Sequence, residues 1–214
     1  MRAGLAISTV VVVGAASTVA SVVPAAAGAR LVRGPDGAKV EVVSVNGSGC
    51  PAGTVNAYLT QDTNQIRLGY SDFAARTGPD SNLPDLRRNC QVSLKMHMPE
   101  GFTYGIVSAS HLGYALIQEG ANAVVKVEYS FRGTPSPFRH TVNGPIDDIW
   151  WFPVPPPIDS PTWKPCDEDR PLRINSELRI HPGTSDPSKV NFISMDSLEE
   201  GPHHVYALAW KTCP

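Results

Sequence analysis

The chain has 214 residues, of which 18 are Lys or Arg and 20 are Asp or Glu, and 42% of its residues are hydrophobic. This near-neutral charge, with no basic run longer than Arg87-Arg88, argues against nucleic-acid binding, which usually requires a basic face. The apolar fraction is too high for a disordered chain and is sufficient to form a hydrophobic core.

The N-terminal segment has the features of an export signal. A basic start precedes an uncharged, mostly apolar run from Leu5 to Val23, and the small residues that follow include Ala27 and Ala29, where a signal peptidase would cut. A membrane anchor is the alternative, but small and polar residues dilute the apolar run. We therefore predict a signal peptide at residues 1–29 and a secreted, extracellular domain at residues 30–214, with no membrane segment after cleavage.

Most of the mature sequence alternates between polar and apolar residues, as strands with one buried face do. The predicted strands are, in chain order, Lys39–Val45, Thr54–Thr60, Gln65–Tyr70, Gln91–Met98, Phe102–Ser108, Leu112–Gln118, Ala121–Phe131, Leu172–Ile180, Val190–Met195 and Val205–Lys211. Turns rich in Gly, Pro and Asn separate them. The best helical candidate, Ser71–Arg76, is too short for more than a turn or two. This pattern predicts an all-β fold, an antiparallel β-sandwich of about ten short strands.

Four cysteines remain after the signal, Cys50, Cys90, Cys166 and Cys213. An even number in an exported protein predicts disulfides, and four cysteines allow three pairings. We prefer Cys50 with Cys90 and Cys166 with Cys213, because each bridge would then close a loop of about 40 residues within one half of the chain. The cysteines are too scattered for a zinc site, and we expect no metal and no cofactor.

An aromatic segment, Trp150-Trp151-Phe152, runs into a proline-rich stretch. Prolines lack the N–H group that a sheet requires, so we interpret the segment as an edge strand leaving its sheet. Trp150, Trp151 and Phe152 are candidates for an exposed platform that stacks on sugar rings or binds a partner protein. The alternative is that the rings pack inward.

Two arginines, Arg87 and Arg88, come just before Cys90. They could hydrogen-bond loop carbonyls or pair with a carboxylate such as Asp72 or Asp85. The functional alternative is a clamp for an anion or a substrate.

No complete catalytic pattern is present. The chain has no nucleophile elbow, and its six histidines lack the spacing of a zinc protease. A glycosidase needs two acids across a cleft, and the acidic clusters are Asp147-Asp148 and Asp167-Glu168-Asp169. For the second cluster we favour a solvated turn over a calcium site, because the loop pattern that binds calcium is absent. We predict no catalytic residues.

Several segments, most of them around a cysteine, together resemble a known exported family. These segments are Gly47-Ser48-Gly49-Cys50-Pro51, Arg87-Arg88-Asn89-Cys90-Gln91, Pro99-Glu100-Gly101-Phe102, Trp163-Lys164-Pro165-Cys166 and Trp210-Lys211-Thr212-Cys213. They are similar to the family called domain of unknown function 4360. The resemblance implies a small, secreted, β-rich protein of actinobacteria and fungi, and it brings no activity with it. The family tends to have Gly after the third cysteine, where this chain has an acidic turn.

The sequence therefore favours a secreted, monomeric, non-enzymatic module that binds an extracellular polysaccharide or protein. One alternative is a small extracellular hydrolase acting on polymers. Another is a protease inhibitor, for which a stiff loop such as Gly78–Arg88 is suited. Fold alone does not decide between these functions.

Overall fold

A computed structural model of the protein describes residues 31–133, 135–154, 161–166, 168–195 and 204–214. The predicted signal peptide lies outside the described residues, as do residues 155–157 of the proline-rich stretch. In the described part of the chain, no helix is long and apolar enough to cross a membrane.

The described residues form 14 strands in two antiparallel sheets. In chain order the strands are β1 (Leu31–Val32), β2 (Lys39–Asn46), β3 (Val55–Leu59), β4 (Gln65–Tyr70), β5 (Ala74–Thr77), β6 (Arg87–His97), β7 (Phe102–Ile117), β8 (Asn122–Ser130), β9 (Phe138–Asn143), β10 (Ile146–Val154), β11 (Thr162–Trp163), β12 (Leu172–His181), β13 (Asn191–Ser194) and β14 (His204–Thr212). Sheet A has the order β3-β4-β14-β7-β13-β5, with β1 paired to β14 and with β10 and β11 paired to β7. Sheet B has the order β2-β6-β12-β8-β9.

The two sheets pack face to face around a core rich in aromatic rings. Tyr129 of sheet B meets Tyr206 of sheet A edge to face, with ring centroids 5.7 Å apart. At one edge, His140 of sheet B stacks on Phe152 of sheet A at 5.0 Å. These contacts join the buried faces that the period-two alternation predicts, and the predicted antiparallel β-sandwich is confirmed.

Strand β7 differs from the prediction in a way that a bulge explains. The two predicted strands Phe102–Ser108 and Leu112–Gln118 are parts of this one long strand. Its partner β14 pairs first with Ser108 and then with Ile106, so that Val107 is an extra residue in β7. A bulge of this kind shifts the alternation by one residue, so the core-facing positions change from even to odd numbers. The change of phase made one strand resemble two.

The predicted helical turn at Ser71–Arg76 is wrong, because this segment leads into strand β5. That strand pairs with β13, and the Phe73 carbonyl accepts a hydrogen bond of 2.9 Å from the Met195 N–H. Phe73 is fully buried, and sheet pairing satisfies backbone groups that would otherwise be buried without partners. Among the described residues, the helical turn is instead a 3-10 helix at Leu83–Leu86, capped by the Asp85 carboxylate.

Both disulfides form as preferred, and each stabilises one sheet. Cys50, just after β2, bonds to Cys90 in β6, with the Cα atoms 5.4 Å apart. Cys166, just after β11, bonds to Cys213, just after β14, with the Cα atoms 5.7 Å apart. In the chain-entropy model, loops of this length stabilise the folded state by about 3 to 4 kcal/mol each.

Two histidines lie side by side in the core of sheet A. His111 of β7 and His204 of β14 are both fully buried, and their ring centroids are 5.5 Å apart. Within the described residues, neither ring nitrogen of His111 has a hydrogen-bond partner. Burial, and secondarily the neighbouring His204, lowers the pKa of His111 well below its usual value. His111 is therefore neutral in the folded protein at neutral pH.

Acidification should destabilise the protein through His111. Below about pH 6.5 the unfolded chain takes up a proton at this residue that the folded state does not accept, so the free energy of unfolding falls with falling pH. One such group contributes a slope of up to about 1.4 kcal/mol per pH unit. In urea unfolding between about pH 7 and pH 5, His111→Leu should therefore lose less stability than the wild type. The control is His97→Gln, at an exposed position of sheet B. An unchanged slope in His111→Leu would contradict this explanation.

Candidate functional site

The outer face of sheet A carries a cluster of large apolar side chains. Strand β10 pairs with β7 in continuous register along its whole length, which places Trp151 opposite Leu112 and Ile149 opposite Tyr114. Opposite residues of paired strands point to the same side of a sheet. On strand β13, the Phe192 ring lies 6.3 Å from the Tyr114 ring, centroid to centroid. We call these five residues the aromatic face.

Three members of the aromatic face are well exposed to solvent. The exposed fraction is 61% for Trp151, 65% for Ile149 and 39% for Tyr114. Single exposed apolar residues are common on protein surfaces, but neighbouring ones on a regular sheet often mark an interaction site. The aromatic face is therefore a candidate binding surface.

The predicted platform of three rings is divided between the two sides of the sheet. Trp150 is 3% exposed, and its Nε1 donates a hydrogen bond of 3.1 Å to the Ser194 carbonyl. Phe152 also points inward, where it stacks on His140. Successive residues of a strand point to opposite sides, so Trp151 is the member of the predicted trio that faces outward. The interpretation as an edge strand agrees with the pairing, because β10 pairs with β7 alone among the described strands.

Sequence reasoning did not identify Tyr114, Ile149 or Phe192 as site residues. A partial signal existed, because alternation over the predicted strand Leu112–Gln118 places Leu112 and Tyr114 on one side. The pairing of this strand with β10 could not be inferred from the sequence. The cluster forms only when that register brings the two strands together.

A polar edge adjoins the aromatic face. The Tyr114 hydroxyl donates a hydrogen bond to the Asp147 carboxylate. This hydrogen bond, more than the partial burial of the ring, raises the pKa of Tyr114, so the hydroxyl stays neutral. The Asp148 carboxylate accepts a hydrogen bond of 2.7 Å from the Ile149 N–H. Asp147, which lies on the same side of β10 as Ile149 and Trp151, thus supplies a hydrogen-bond acceptor beside the rings.

The second acidic cluster is engaged in ion pairs. Glu168 pairs with Arg132 and Arg170, and Asp169 pairs with Lys95 at 2.6 Å. Asp167 lies outside the described residues. No group of three or more His, Cys, Asp or Glu residues in the described ranges is arranged to hold a metal ion.

The outer face of sheet B contains a groove of about 880 Å³, which we call the polar groove. Arg87 lines it, with its Nε 2.9 Å from a Glu177 carboxylate oxygen, and the Nζ of Lys126 is 2.9 Å from the other oxygen. Burial alone would raise the pKa of Glu177, but the hydrogen bonds from Lys126 and Arg87 outweigh it and lower the pKa below its usual value. Glu177 is therefore an anion held between two cations.

Arg88 has the structural contacts that the sequence suggested. It pairs with Asp85 and donates a hydrogen bond of 3.1 Å to the Ser48 carbonyl. These contacts connect the 3-10 helix to the loop beside the first disulfide. Arg87 and Arg88 point to opposite sides of β6 and do not form one clamp.

Comparison with known proteins places the chain in a family. The sequence profile described as domain of unknown function (DUF4360) matches residues 36–213. An uncharacterized secreted protein of Arthroderma benhamiae is 31% identical over 183 residues, which cover 84% of this chain and 74% of the relative. This similarity and the two disulfides confirm the prediction of a secreted protein. The chain belongs to the DUF4360 family.

Proposed function

We propose that the protein is a secreted, non-enzymatic binding module whose aromatic face holds an extracellular polysaccharide. The observation that carries the proposal is the exposed indole of Trp151, which projects from a regular sheet beside Ile149 and Tyr114. Exposure of these side chains has an unfavourable hydration cost, which a ligand covering them would remove.

The chemistry of the aromatic face suits a sugar. A sugar ring has an apolar face of C–H groups and an edge of hydroxyl groups. The rings of Trp151 and Tyr114 offer apolar surfaces to the C–H face of the sugar, and Asp147 accepts hydrogen bonds from its hydroxyl groups. Tyr114 is already oriented by its hydrogen bond to Asp147, so less side-chain freedom is lost on binding.

The size of the aromatic face favours a polymer. It extends over the three neighbouring strands β10, β7 and β13, so its width is two strand spacings, or about 10 Å. Such a surface is longer than a single sugar ring. A stable protein interface uses roughly 20–30 residues on each side, far more than the five of the aromatic face. The polysaccharide is therefore favoured over a protein partner.

A hydrolase is the second candidate, and one observation favours it. Glu128 and Glu177 lie on adjacent strands in the polar groove. A glycosidase requires a carboxylic acid with a raised pKa as proton donor. Glu177 does not fit that role, because Lys126 and Arg87 stabilise its ionised form. The ion pairs around Glu177 therefore argue against this residue as the proton donor of a glycosidase.

The loop proposed for protease inhibition has an unsuitable conformation. Leu83 is exposed at the tip of the segment Gly78–Arg88, but it begins the 3-10 helix Leu83–Leu86. A segment that adds to the edge of a partner's sheet must be extended. The geometry of this loop thus gives the inhibitor hypothesis no support.

The two adjacent tryptophans should respond differently to replacement by alanine. Trp150→Ala should lower the free energy of unfolding by about 3 to 5 kcal/mol, because it removes a buried ring and leaves a cavity. Trp151→Ala should change it by no more than about 0.5 kcal/mol, because the ring faces solvent. Urea unfolding of both variants measures the difference. A loss in Trp151→Ala as large as that in Trp150→Ala would mean that Trp151 has a structural role.

Binding is tested by retention on insoluble polysaccharides. The exported, oxidised protein is mixed with glucan, chitin and isolated cell walls, and the unbound protein and any released sugar are measured. We expect retention without release of sugar, and a loss of about tenfold or more in affinity for Trp151→Ala, or about 1.4 kcal/mol. The matched control is Tyr58→Ala, which removes an exposed ring from β3 of the same sheet.

Each alternative result has a definite meaning. Release of sugar would establish a hydrolase. Retention that is equal in Trp151→Ala and the wild type would remove the aromatic face from the explanation. Absence of retention on every polymer would contradict the proposed function.

A further inference from the structure

The polar groove lies on the sheet opposite the aromatic face and has a different composition. Its floor is formed by outward-facing side chains of β6, β12 and β8. The 3-10 helix and Pro137 form its rims. The proposed function makes no use of this groove, and a ligand here would be bound by separate residues.

The strand register arranges the floor in rows. One row crosses four strands and consists of Asn46, Gln91, Asn175 and Glu128. With strands about 4.8 Å apart, this row is about 14 Å long. Three of its four members are amides, and an amide side chain has both donor and acceptor groups. The three amides can thus both donate to and accept from hydroxyl groups, and Glu128 at the end of the row can accept from them.

The charges in the groove are balanced by one another. Arg87 and Lys126 both pair with Glu177, and Asn175 donates a hydrogen bond to Glu128. The charges of the two cations, Arg87 and Lys126, and of the two carboxylates, Glu128 and Glu177, sum to zero. A charged ligand would have to compete with these existing ion pairs, whereas a neutral polar ligand leaves them intact. The groove therefore favours a ligand that is polar and uncharged.

Two further features indicate a ligand of mixed polarity. Among the described residues, the buried Oδ1 of Asn175 has no hydrogen-bond partner, which leaves an unused acceptor in a residue that lines the groove. On the rim, Leu83 is 86% exposed and stands next to Pro84. An apolar rim above a polar floor fits a molecule with hydroxyl groups on one side and C–H groups on the other.

We propose that the polar groove is a second binding site, which takes a short, neutral segment of an oligosaccharide. Hydroxyl groups of the sugar contact the row from Asn46 to Glu128, and C–H groups contact Leu83 and Pro84. The protein thereby has sugar sites on both outer faces of its sandwich. The groove site does not depend on Trp151.

The test is titration of the ¹⁵N-labelled, oxidised protein with soluble hexasaccharides of neutral glucans and of chitin, followed by NMR. A hexasaccharide of galacturonate serves as the charged probe. We expect a neutral sugar to shift the amide signals of Gln91, Asn175 and Lys126, with at least tenfold weaker binding of the galacturonate. The same spectra show whether each variant remains folded.

Variants separate the groove from the aromatic face. Gln91→Ala should weaken binding in the groove at least tenfold, because Gln91 is an exposed member of the amide row. Ser93→Ala, on the same strand and side but outside the groove, should bind as the wild type does. Trp151→Ala should also leave the groove signals unchanged.

Three results would overturn the groove site. The first is the absence of groove shifts with every neutral hexasaccharide, and the second is unchanged affinity in Gln91→Ala. The third is binding of the galacturonate that is as tight as that of the neutral sugars. Shifts confined to Tyr114, Ile149 and Trp151 would refute the groove site and leave the proposed function standing.

Discussion

Hydrogen bonding along both edges of strand β7 is the constraint on which the rest of sheet A depends. Strand β14 pairs with one edge over most of the N-terminal half, and β13 continues that edge near the C-terminal end. Strands β10 and β11 pair with the other edge. Because β7 is fixed on both sides, the side chains it presents are held in defined positions. The aromatic face takes Leu112 and Tyr114 from this strand, and the core takes His111.

The period of two in each strand gives the sandwich its two unlike outer faces. On β10, it buries Trp150 against Ser194 and exposes Trp151 beside Leu112. On β12, it buries Ile174 and Leu178 and directs Asn175 and Glu177 outward. The same alternation that fills the core therefore places rings on the surface of sheet A and paired charges on the surface of sheet B. The two surfaces suit different contacts with a ligand.

Regular strands and the presence of disulfides could be predicted from the sequence, because strands follow a local alternation and an even number of cysteines in an exported protein predicts disulfides. Strands β6, β8 and β12 follow the alternation with single exceptions such as Val124 and Ser176. The preferred pairing of the cysteines within each half of the chain is the one that forms. The sequence of β7 predicts two strands, because the extra residue Val107 shifts the alternation by one position. The sequence around β5 predicts a helical turn, because the pairing partner of this strand, β13, lies far along the chain.

The two candidate sites were harder to predict because they depend on register between distant strands. The aromatic segment in the sequence points to Trp151 as a candidate binding residue. Its neighbours Tyr114 and Phe192 belong to other strands, so the segment does not reveal them. Arg87 was identified without its partner Glu177, which is 90 residues away in sequence. No local pattern contains such information. It appears only when the sheets are assembled.

The most direct test of the central claim is the accessibility of Trp151 with and without polysaccharide. Of the four tryptophans, Trp150 and Trp210 are buried, and the Lys211 ammonium covers the Trp163 ring at 4.2 Å. Quenching of tryptophan fluorescence by acrylamide should therefore report mainly on Trp151. We predict that a soluble form of the retained polysaccharide reduces the quenching constant, because the sugar covers the indole. Unchanged quenching while the polysaccharide is bound would contradict the assignment of the aromatic face as the binding site.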